Sequence, residues 1–126
     1  MDVRVIVPNS HIDKPTVRRA SRDAWGSLLQ AGVRIAEFQP TMFHVKSIVV
    51  DEYLSSVGST NVDRRSFHLN DEANLNVLDA DFAREQAKIF EDDWQRSREV
   101  SLQVWENRPM ATKLIDASAA LVRFQL

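Results

Sequence analysis

The first forty residues contain two strand-like runs separated by a helical repeat, and this order constrains the fold more than any other feature of the sequence. Residues 3–7 form a β-branched run ending at Pro8, and residues 33–38 alternate apolar and polar side chains. Between them, apolar residues recur three or four positions apart from Val17 to Ala31, and Gly32 follows as a helix-terminating glycine. Strand, helix and strand in this order usually join two parallel strands, with the helix on one face of the sheet. We therefore predict an α/β fold with a mixed, largely parallel sheet flanked by helices on both faces.

The remaining chain carries further strand and helix patterns. Apolar residues dominate or alternate in three short segments, and a long amphipathic repeat then begins at an aspartate that can cap a helix. The predicted elements are strands over Phe43–Val50, Tyr53–Val57 and Ala73–Leu78, a helix from Asp79 or Asp81 to about Arg98, and one or two shorter helices after it.

Composition limits the classes of protein that remain. The 126 residues, 44% of them hydrophobic, can bury one core, so we expect a single domain over residues 1–126. The absence of cysteine excludes disulfides and thiolate catalysis. A formal net charge of −2 provides no positive field to attract a polyanion, so nucleic acid is not an expected partner. No apolar run reaches membrane-spanning length and no signal-peptide pattern is present, so this chain alone is expected to be soluble.

Two polar residues, His44 and Lys46, interrupt the apolar strand predicted over Phe43–Val50. Side chains two positions apart on a strand share a face and stand roughly 7 Å apart, so an imidazole and an ammonium could reach one anion. A histidine with a pKa near 6.5 can act as a nucleophile when neutral and as an acid when protonated, as exchange at a phosphodiester requires. The lysine would supply positive charge to the phosphate oxygens, and no metal is then needed.

The segment after this strand offers further groups for binding a phosphate. Asp51 is seven positions from His44, an odd number, so a continuing strand would point its side chain to the opposite face, and we expect it to brace the turn. The residues of Gly58–Asn61 suit a tight turn that binds a ligand oxygen through the Ser59 hydroxyl and the Asn61 amide. A carboxylate such as Glu72 could accept the other ring N–H of the histidine and fix its tautomer.

Together these residues resemble the signature of the phospholipase D superfamily, the HKD motif: H-x-K, four residues, D, six residues, then G-[ST]-x-N. The resemblance extends beyond the motif, since Phe38–Pro40 and Arg65–Glu72 look like the C-terminal half of bacterial cardiolipin synthases, and it covers nearly the whole chain. The signature positions are filled by His44, Lys46, Asp51, Gly58, Ser59 and Asn61.

The resemblance implies a role for each matching residue. His44 would attack phosphorus or protonate the leaving alcohol, and the phosphate would be bound by Lys46, Ser59 and Asn61. Glu72 matches the acidic residue that orients the histidine. Asp51 completes the candidate catalytic group as the motif aspartate, with a structural role. The resemblance implies no cofactor and no metal.

Active sites of the superfamily combine two such motifs, in which one histidine is phosphorylated and the other serves as acid and base. This sequence has one motif, because His11 and His68 lack the H-x-K context. We therefore expect a second HKD half, either upstream in a longer two-motif protein of which this is the C-terminal part, or from a second copy in a homodimer.

The leading functional hypothesis is a phosphatidyltransferase of the cardiolipin synthase type, acting on phosphatidylglycerol through a phosphohistidine. The expected partners are the phospholipid, the membrane surface and the second half, and the full-length protein is expected at the bacterial cytoplasmic membrane. Two alternatives stay open. The same intermediate could pass to water, in a phospholipase D or another phosphodiesterase or nuclease, or the isolated chain could be a catalytically inert half domain.

Overall fold

Strand β2, Arg34–Phe38, is the most deeply buried strand in the computed structural model, which describes residues 2–9, 22, 24–60 and 72–121. Its last four residues are nearly inaccessible to solvent, with exposed fractions of 1% for Ile35, 1% for Ala36, 3% for Glu37 and 5% for Phe38. Successive side chains of a strand point to opposite faces, so both faces of β2 are covered. This strand is the centre of the first sheet.

Two strands flank β2. Strand β1, Arg4–Pro8, pairs with it in parallel, as the strand–helix–strand pattern predicts, and strand β6, Ser97–Val100, pairs with it antiparallel. Across the β2–β6 pair, Arg34 donates two hydrogen bonds to the Glu99 carboxylate, with Nε–Oε1 at 2.8 Å and Nη2–Oε2 at 3.0 Å. The expectation of helix as far as Arg98 is wrong here, because this segment instead completes the sheet beside β2.

The second sheet contains strands β3, Ser47–Val50, β4, Leu54–Gly58, and β5, Asn74–Leu78, in that order. Both pairings are antiparallel. Ser55, the second residue of the central strand β4, is fully buried. The sequence predicts β4 and β5 to within one residue at each end, whereas β3 begins later than Phe43.

The mixed α/β class is confirmed, and the direction of the strands is corrected. Of the four strand pairings among the described residues, only β1–β2 is parallel. The short hairpin turn between β3 and β4 allows only an antiparallel pair, since parallel neighbours need a crossover of a dozen residues or more. The prediction of a largely parallel sheet extended the opening strand–helix–strand unit to the rest of the chain, where the described pairs β2–β6, β3–β4 and β4–β5 are antiparallel.

The described part of the chain also contains helices α1, Trp25–Gln30, α2, Ala80–Gln95, α3, Leu102–Glu106, and α4, Met110–Leu121. The start of α2 is fixed by Asp79, whose Oδ1 accepts a hydrogen bond from the Phe82 N–H at 2.8 Å. One or two shorter helices are predicted after it, and the structure has two, α3 and α4. None of the described helices combines the length and the hydropathy needed to cross a bilayer.

An aromatic side chain of α3 packs against α1, and a charged pair joins α4 to the segment that follows α3. The Trp105 ring packs against Gly26, and its Nε1–H donates to the Arg22 carbonyl at 3.1 Å. Asp116, only 1% exposed, lies 3.4 Å from Nε of Arg108. A carboxylate at this depth depends on such charged partners for its stability.

The chain divides into two compact units, one of residues 1–43 and 94–126 and one of residues 44–93. The first unit contains the β1-β2-β6 sheet and the second contains the β3-β4-β5 sheet. The single domain over residues 1–126 stays a prediction. Every described candidate site residue, from His44 to Glu72, falls within the second unit.

Candidate active site

His44 and Lys46 lie immediately before β3 rather than within it. His44 is exposed, Lys46 is half-buried, and Nζ of Lys46 donates a hydrogen bond to the His44 carbonyl at 3.2 Å. The predicted strand over Phe43–Val50 is therefore too long at its start. The histidine and the lysine nonetheless lie close together at the beginning of the second sheet.

The two ends of the signature are joined by a main-chain hydrogen bond. The Gly58 N–H donates to the Lys46 carbonyl at 3.1 Å, which extends the β3–β4 ladder by one pair beyond Ser47 and Val57. Because Ser59 directly follows Gly58, the hairpin brings the histidine–lysine segment beside the start of the glycine–serine turn. The pairing of two strands that are adjacent in sequence produces this arrangement.

Asp51 lies at the other end of the hairpin. Asp51 and Glu52 adopt left-handed backbone conformations, with φ of 49° and 52°, and the Tyr53 N–H donates to the Val50 carbonyl at 3.1 Å. Five residues of extended chain span roughly 17 Å, so β3 separates Asp51 from Lys46. The structure thus places Asp51 in the turn and away from the other signature residues. Aspartate tolerates this conformation better than most side chains do.

Ser59 is exposed and is bound to the segment before β5. Its N–H donates to the Ala73 carbonyl at 3.0 Å, and its Oγ accepts from the Ala73 N–H at 3.1 Å. A hydroxyl that accepts one hydrogen bond still has a proton to donate. The Ala73 N–H therefore fixes the position of the Ser59 oxygen. The proton of the Ser59 hydroxyl stays available for a ligand oxygen.

Asn74, a residue that the sequence reasoning missed, contacts the same turn. Its Oδ1 accepts from the Thr60 N–H at 3.2 Å, and its Nδ2 donates to Oγ of Ser56 at 3.3 Å. An amide at the first position of a strand, opposite the signature glycine, is the signal that could have indicated it. A side chain outside the signature therefore fixes part of the signature turn.

Gly58 is required at its position by close approach to β5. A Cβ placed on Gly58 would overlap the Ala73 carbonyl and the Asn74 side chain, and would lie 2.7 Å from the Asn74 Cα. Carbon atoms in ordinary contact are about 3.5–4.0 Å apart. The signature glycine thus lets β4 and β5 meet closely where the turn begins.

The remaining predicted residues are only partly described. Glu72 is half-buried and directly precedes Ala73, so it lies beside the segment that binds Ser59. Asn61, His11 and His68 lie outside the described residues. In the part of the chain that is described, no three acidic or histidine side chains gather as a metal site would require.

The fold is that of a phospholipase D-like domain. A phospholipase D family member of known structure, Nuc from Salmonella typhimurium, superposes with a TM-score of 0.70 over 80% of this chain and 65% of that one. The sequence identity is 19%, so this likeness shows the fold alone.

The family described as "Cardiolipin synthase, PLD-like domain" matches residues 1–94, and the chain belongs to this family. It is 38% identical over 122 residues to Cardiolipin synthase 2 of Bacillus anthracis and 42% identical over 116 residues to Cardiolipin synthase A of Erwinia tasmaniensis. These alignments cover 97% and 92% of this chain and 24% of each relative, so the chain spans about a quarter of their length.

Proposed function

We propose that this chain supplies one HKD half of a phosphatidyltransferase of the cardiolipin synthase type. The observation that carries the proposal is the Gly58–Lys46 main-chain hydrogen bond of 3.1 Å, which brings the histidine–lysine segment beside the glycine–serine turn. The similarity to two cardiolipin synthases supports the choice of a phosphatidyl group as the group transferred. The substrate is then phosphatidylglycerol at a membrane surface.

The reaction proceeds in two displacements at phosphorus. One of the two active-site histidines, His44 or its counterpart in the second half, attacks the phosphorus of phosphatidylglycerol, and the P–O bond to the headgroup glycerol breaks. The other histidine protonates the leaving glycerol oxygen. A hydroxyl of a second phosphatidylglycerol then loses its proton to that same histidine and attacks the phosphohistidine. Cardiolipin forms, and the first histidine is regenerated.

The chain's other candidate residues bind and orient in this scheme. The Lys46 ammonium and the Ser59 hydroxyl donate to the nonbridging oxygens, with Asn61 as the third ligand, and these interactions strengthen as charge develops in the transition state. Glu72 accepts a ring N–H and sets which nitrogen of the histidine is free to react. Asp51 stabilises the hairpin turn from which β4 returns.

The second half of the site comes from outside residues 1–126, as another part of a longer chain or as a second copy. A twofold axis would bring two His44 segments together without a new type of contact, because an isologous interface uses one surface twice. The full-length protein then works at the bacterial cytoplasmic membrane, where its lipid substrate lies.

The test is the conversion of labelled phosphatidylglycerol in vesicles by the protein in its natural full length. We expect cardiolipin and glycerol as products, and a loss of rate of about a thousandfold or more in His44→Ala, since the covalent route or its acid–base partner is removed. Lys46→Ala should lower the rate strongly, whereas Lys88→Ala, which removes an exposed lysine from α2, should leave it unchanged.

The products separate the competing functions. Phosphatidic acid in place of cardiolipin would mean that water accepts the phosphatidyl group and that the protein is a phospholipase D. Cardiolipin synthesis that survives His44→Ala would contradict the assignment of this motif. An absence of both products with the full-length wild-type protein would contradict the proposed function, and the inert half domain would be supported if residues 1–126 alone gave neither product while the full-length protein gave cardiolipin.

A further inference from the structure

The β3–β4 ladder ends with the hydrogen bond between Gly58 and Lys46, where β4 ends and one residue before β3 begins. In an antiparallel ladder at this register, the next hydrogen bond on the same side would join the Thr60 N–H to the His44 carbonyl. Neither group is used in that way. The Thr60 N–H donates to Oδ1 of Asn74 at 3.2 Å, and the His44 carbonyl accepts from Nζ of Lys46 at 3.2 Å.

The Asn74 side chain is held in the orientation that this contact needs. Asn74 lies opposite Gly58 in the β4–β5 register, and its Nδ2 donates to Oγ of Ser56 at 3.3 Å. With the amide nitrogen bound to Ser56, the amide oxygen points to the Thr60 N–H. The missing side chain of Gly58 leaves the space that the Asn74 amide occupies.

Ser59 and Thr60 are consequently attached to β5 and the residue before it, whereas Gly58 bonds to Lys46. Besides the Thr60–Asn74 bond, the Ser59 N–H and Oγ both bond to the main chain of Ala73. Three hydrogen bonds therefore set the position of the Ser59 hydroxyl relative to the second sheet. Such donors are most effective when their positions are fixed before charge develops on the phosphate.

We propose that Asn74 is a positioning residue of this site: by capturing the Thr60 N–H, it ends the β3–β4 ladder before His44 and holds the Ser59 hydroxyl in place for a phosphodiester. This inference rests on the proposed function for its ligand. Its structural part concerns which of two oxygens, Oδ1 of Asn74 or the His44 carbonyl oxygen, accepts the hydrogen bond from the Thr60 N–H. This part can be tested without measuring activity.

The direct test is nuclear magnetic resonance of the labelled protein, through couplings transmitted across hydrogen bonds. In the wild type, the Thr60 amide nitrogen should couple to the side-chain carbonyl carbon of Asn74. In Asn74→Ala we expect a coupling to the carbonyl carbon of His44 instead, because the ladder can then extend by one bond. Asn74→Asp retains the acceptor oxygen, so the Thr60 amide nitrogen should still couple to the side-chain carbonyl carbon of residue 74. Asn76→Ala, on the same strand, is the matched control and should leave the wild-type coupling unchanged.

The kinetic test uses phosphatidylglycerol vesicles and the same variants. Asn74→Ala should lower kcat about tenfold and change KM by less than about twofold, since a misplaced donor weakens transition-state binding more than substrate binding. Asn76→Ala should keep both constants. A merely structural role would instead lower the folded fraction, and kcat per folded molecule would not fall.

The outcomes distinguish this inference from the proposed function. If the wild type turns over and Asn74→Ala matches Asn76→Ala in both coupling and kcat, the positioning role is overturned. If the wild type makes no product but Thr60 changes acceptor as expected, the proposed function fails and the control of the turn by Asn74 stands. Should Asn74→Ala fail to fold, Asn74→Ser, which is polar but too short to reach Thr60, provides the same comparison.

Discussion

Replacing Gly58 with alanine tests whether the signature glycine is required by the close approach of β4 and β5. The added Cβ would meet the Ala73 carbonyl and the Asn74 Cα, the latter at 2.7 Å. These are main-chain atoms, so a rotamer change cannot relieve the overlap. The two segments must separate by about 1 Å to restore ordinary carbon contacts.

The cost of this separation can be worked out from the contacts that it disturbs. Overpacking of this kind costs about 2 kcal/mol. The separation also weakens the two Ser59–Ala73 hydrogen bonds, each worth about 1 kcal/mol. Alanine reduces the entropy of the unfolded chain, which raises the free energy of unfolding by about 1 kcal/mol. We expect Gly58→Ala to lower the free energy of unfolding by about 3 kcal/mol.

The assay is urea denaturation followed by far-UV circular dichroism, together with amide hydrogen exchange at Ser59 and Ala73. The control is Gly32→Ala, where φ is 86° but no atom lies within 4 Å of the added Cβ, so only the backbone conformation costs free energy, about 1 kcal/mol. A second variant, Gly58→Ala with Asn74→Ala, should recover less than half of the loss, because the overlap with the main chain remains. A loss in Gly58→Ala no larger than that in Gly32→Ala would refute the steric explanation.

Three further substitutions test other parts of the structure. Glu52→Gly should raise the free energy of unfolding by about 0.5–1 kcal/mol in urea, since residue 52 has a φ of 52°; a neutral or negative effect would show that the left-handed turn is not strained. Asp116→Asn should lower it by about 3 kcal/mol, measured by tryptophan fluorescence, because Arg108, whose side chain is 8% exposed, loses its charged partner; a change below about 1 kcal/mol would contradict this. The hydrogen bond from Arg34 is the main cause that lowers the pKa of Glu99 below 4.5, so this pair stabilises the fold above that pH and loses its effect as the pH falls through the lowered value. Glu99→Gln should therefore lower the free energy of unfolding by about 0.5 kcal/mol at neutral pH and leave it unchanged in acid. A difference between variant and wild type that does not depend on pH would exclude the ion pair as its cause.

Much of the fold follows from local patterns. The β-branched run at β1, the alternation at β2 and β5, and the aspartate that caps α2 are each encoded within a few residues. The parallel β1–β2 pair follows from the helical repeat between them. These elements agree with the predictions because local preference and tertiary structure favour the same state.

Strand β6 shows where local patterns were insufficient. The helix predicted from Asp79 or Asp81 extends to about Arg98 and so includes the first two residues of β6. The structure pairs this strand with β2, where Arg34 and Arg98 meet carboxylates on the neighbouring strand, Glu99 and Glu37. Sequence separations of 65 and 61 residues join these partners, and no local pattern indicates such contacts.

The candidate site divides in the same way. The signature identified the two segments that the hairpin joins, His44–Lys46 and Gly58–Ser59, because their spacing is set by one local turn. Asn74 was missed because its contact with Thr60 depends on the register of β5 against β4. The strand predicted from Phe43 is too long because the side chains of Lys46 and Asn74 bond to the His44 carbonyl and the Thr60 N–H, which would otherwise pair with each other. A pattern of apolar residues does not indicate such side-chain bonds.

The division into two units has a consequence for the order of folding. Residues 44–93 form one continuous segment, whereas the other unit is assembled from chain ends on either side of it. Closing the β2–β6 pair directly requires a loop of about 65 residues, and the entropy lost on closure grows with loop length. Prior folding of residues 44–93 would shorten the flexible part of that loop. We therefore expect the β3-β4-β5 sheet to gain protection from hydrogen exchange before β6 docks during refolding, so the hairpin that carries His44 would form among the first native structures of the chain.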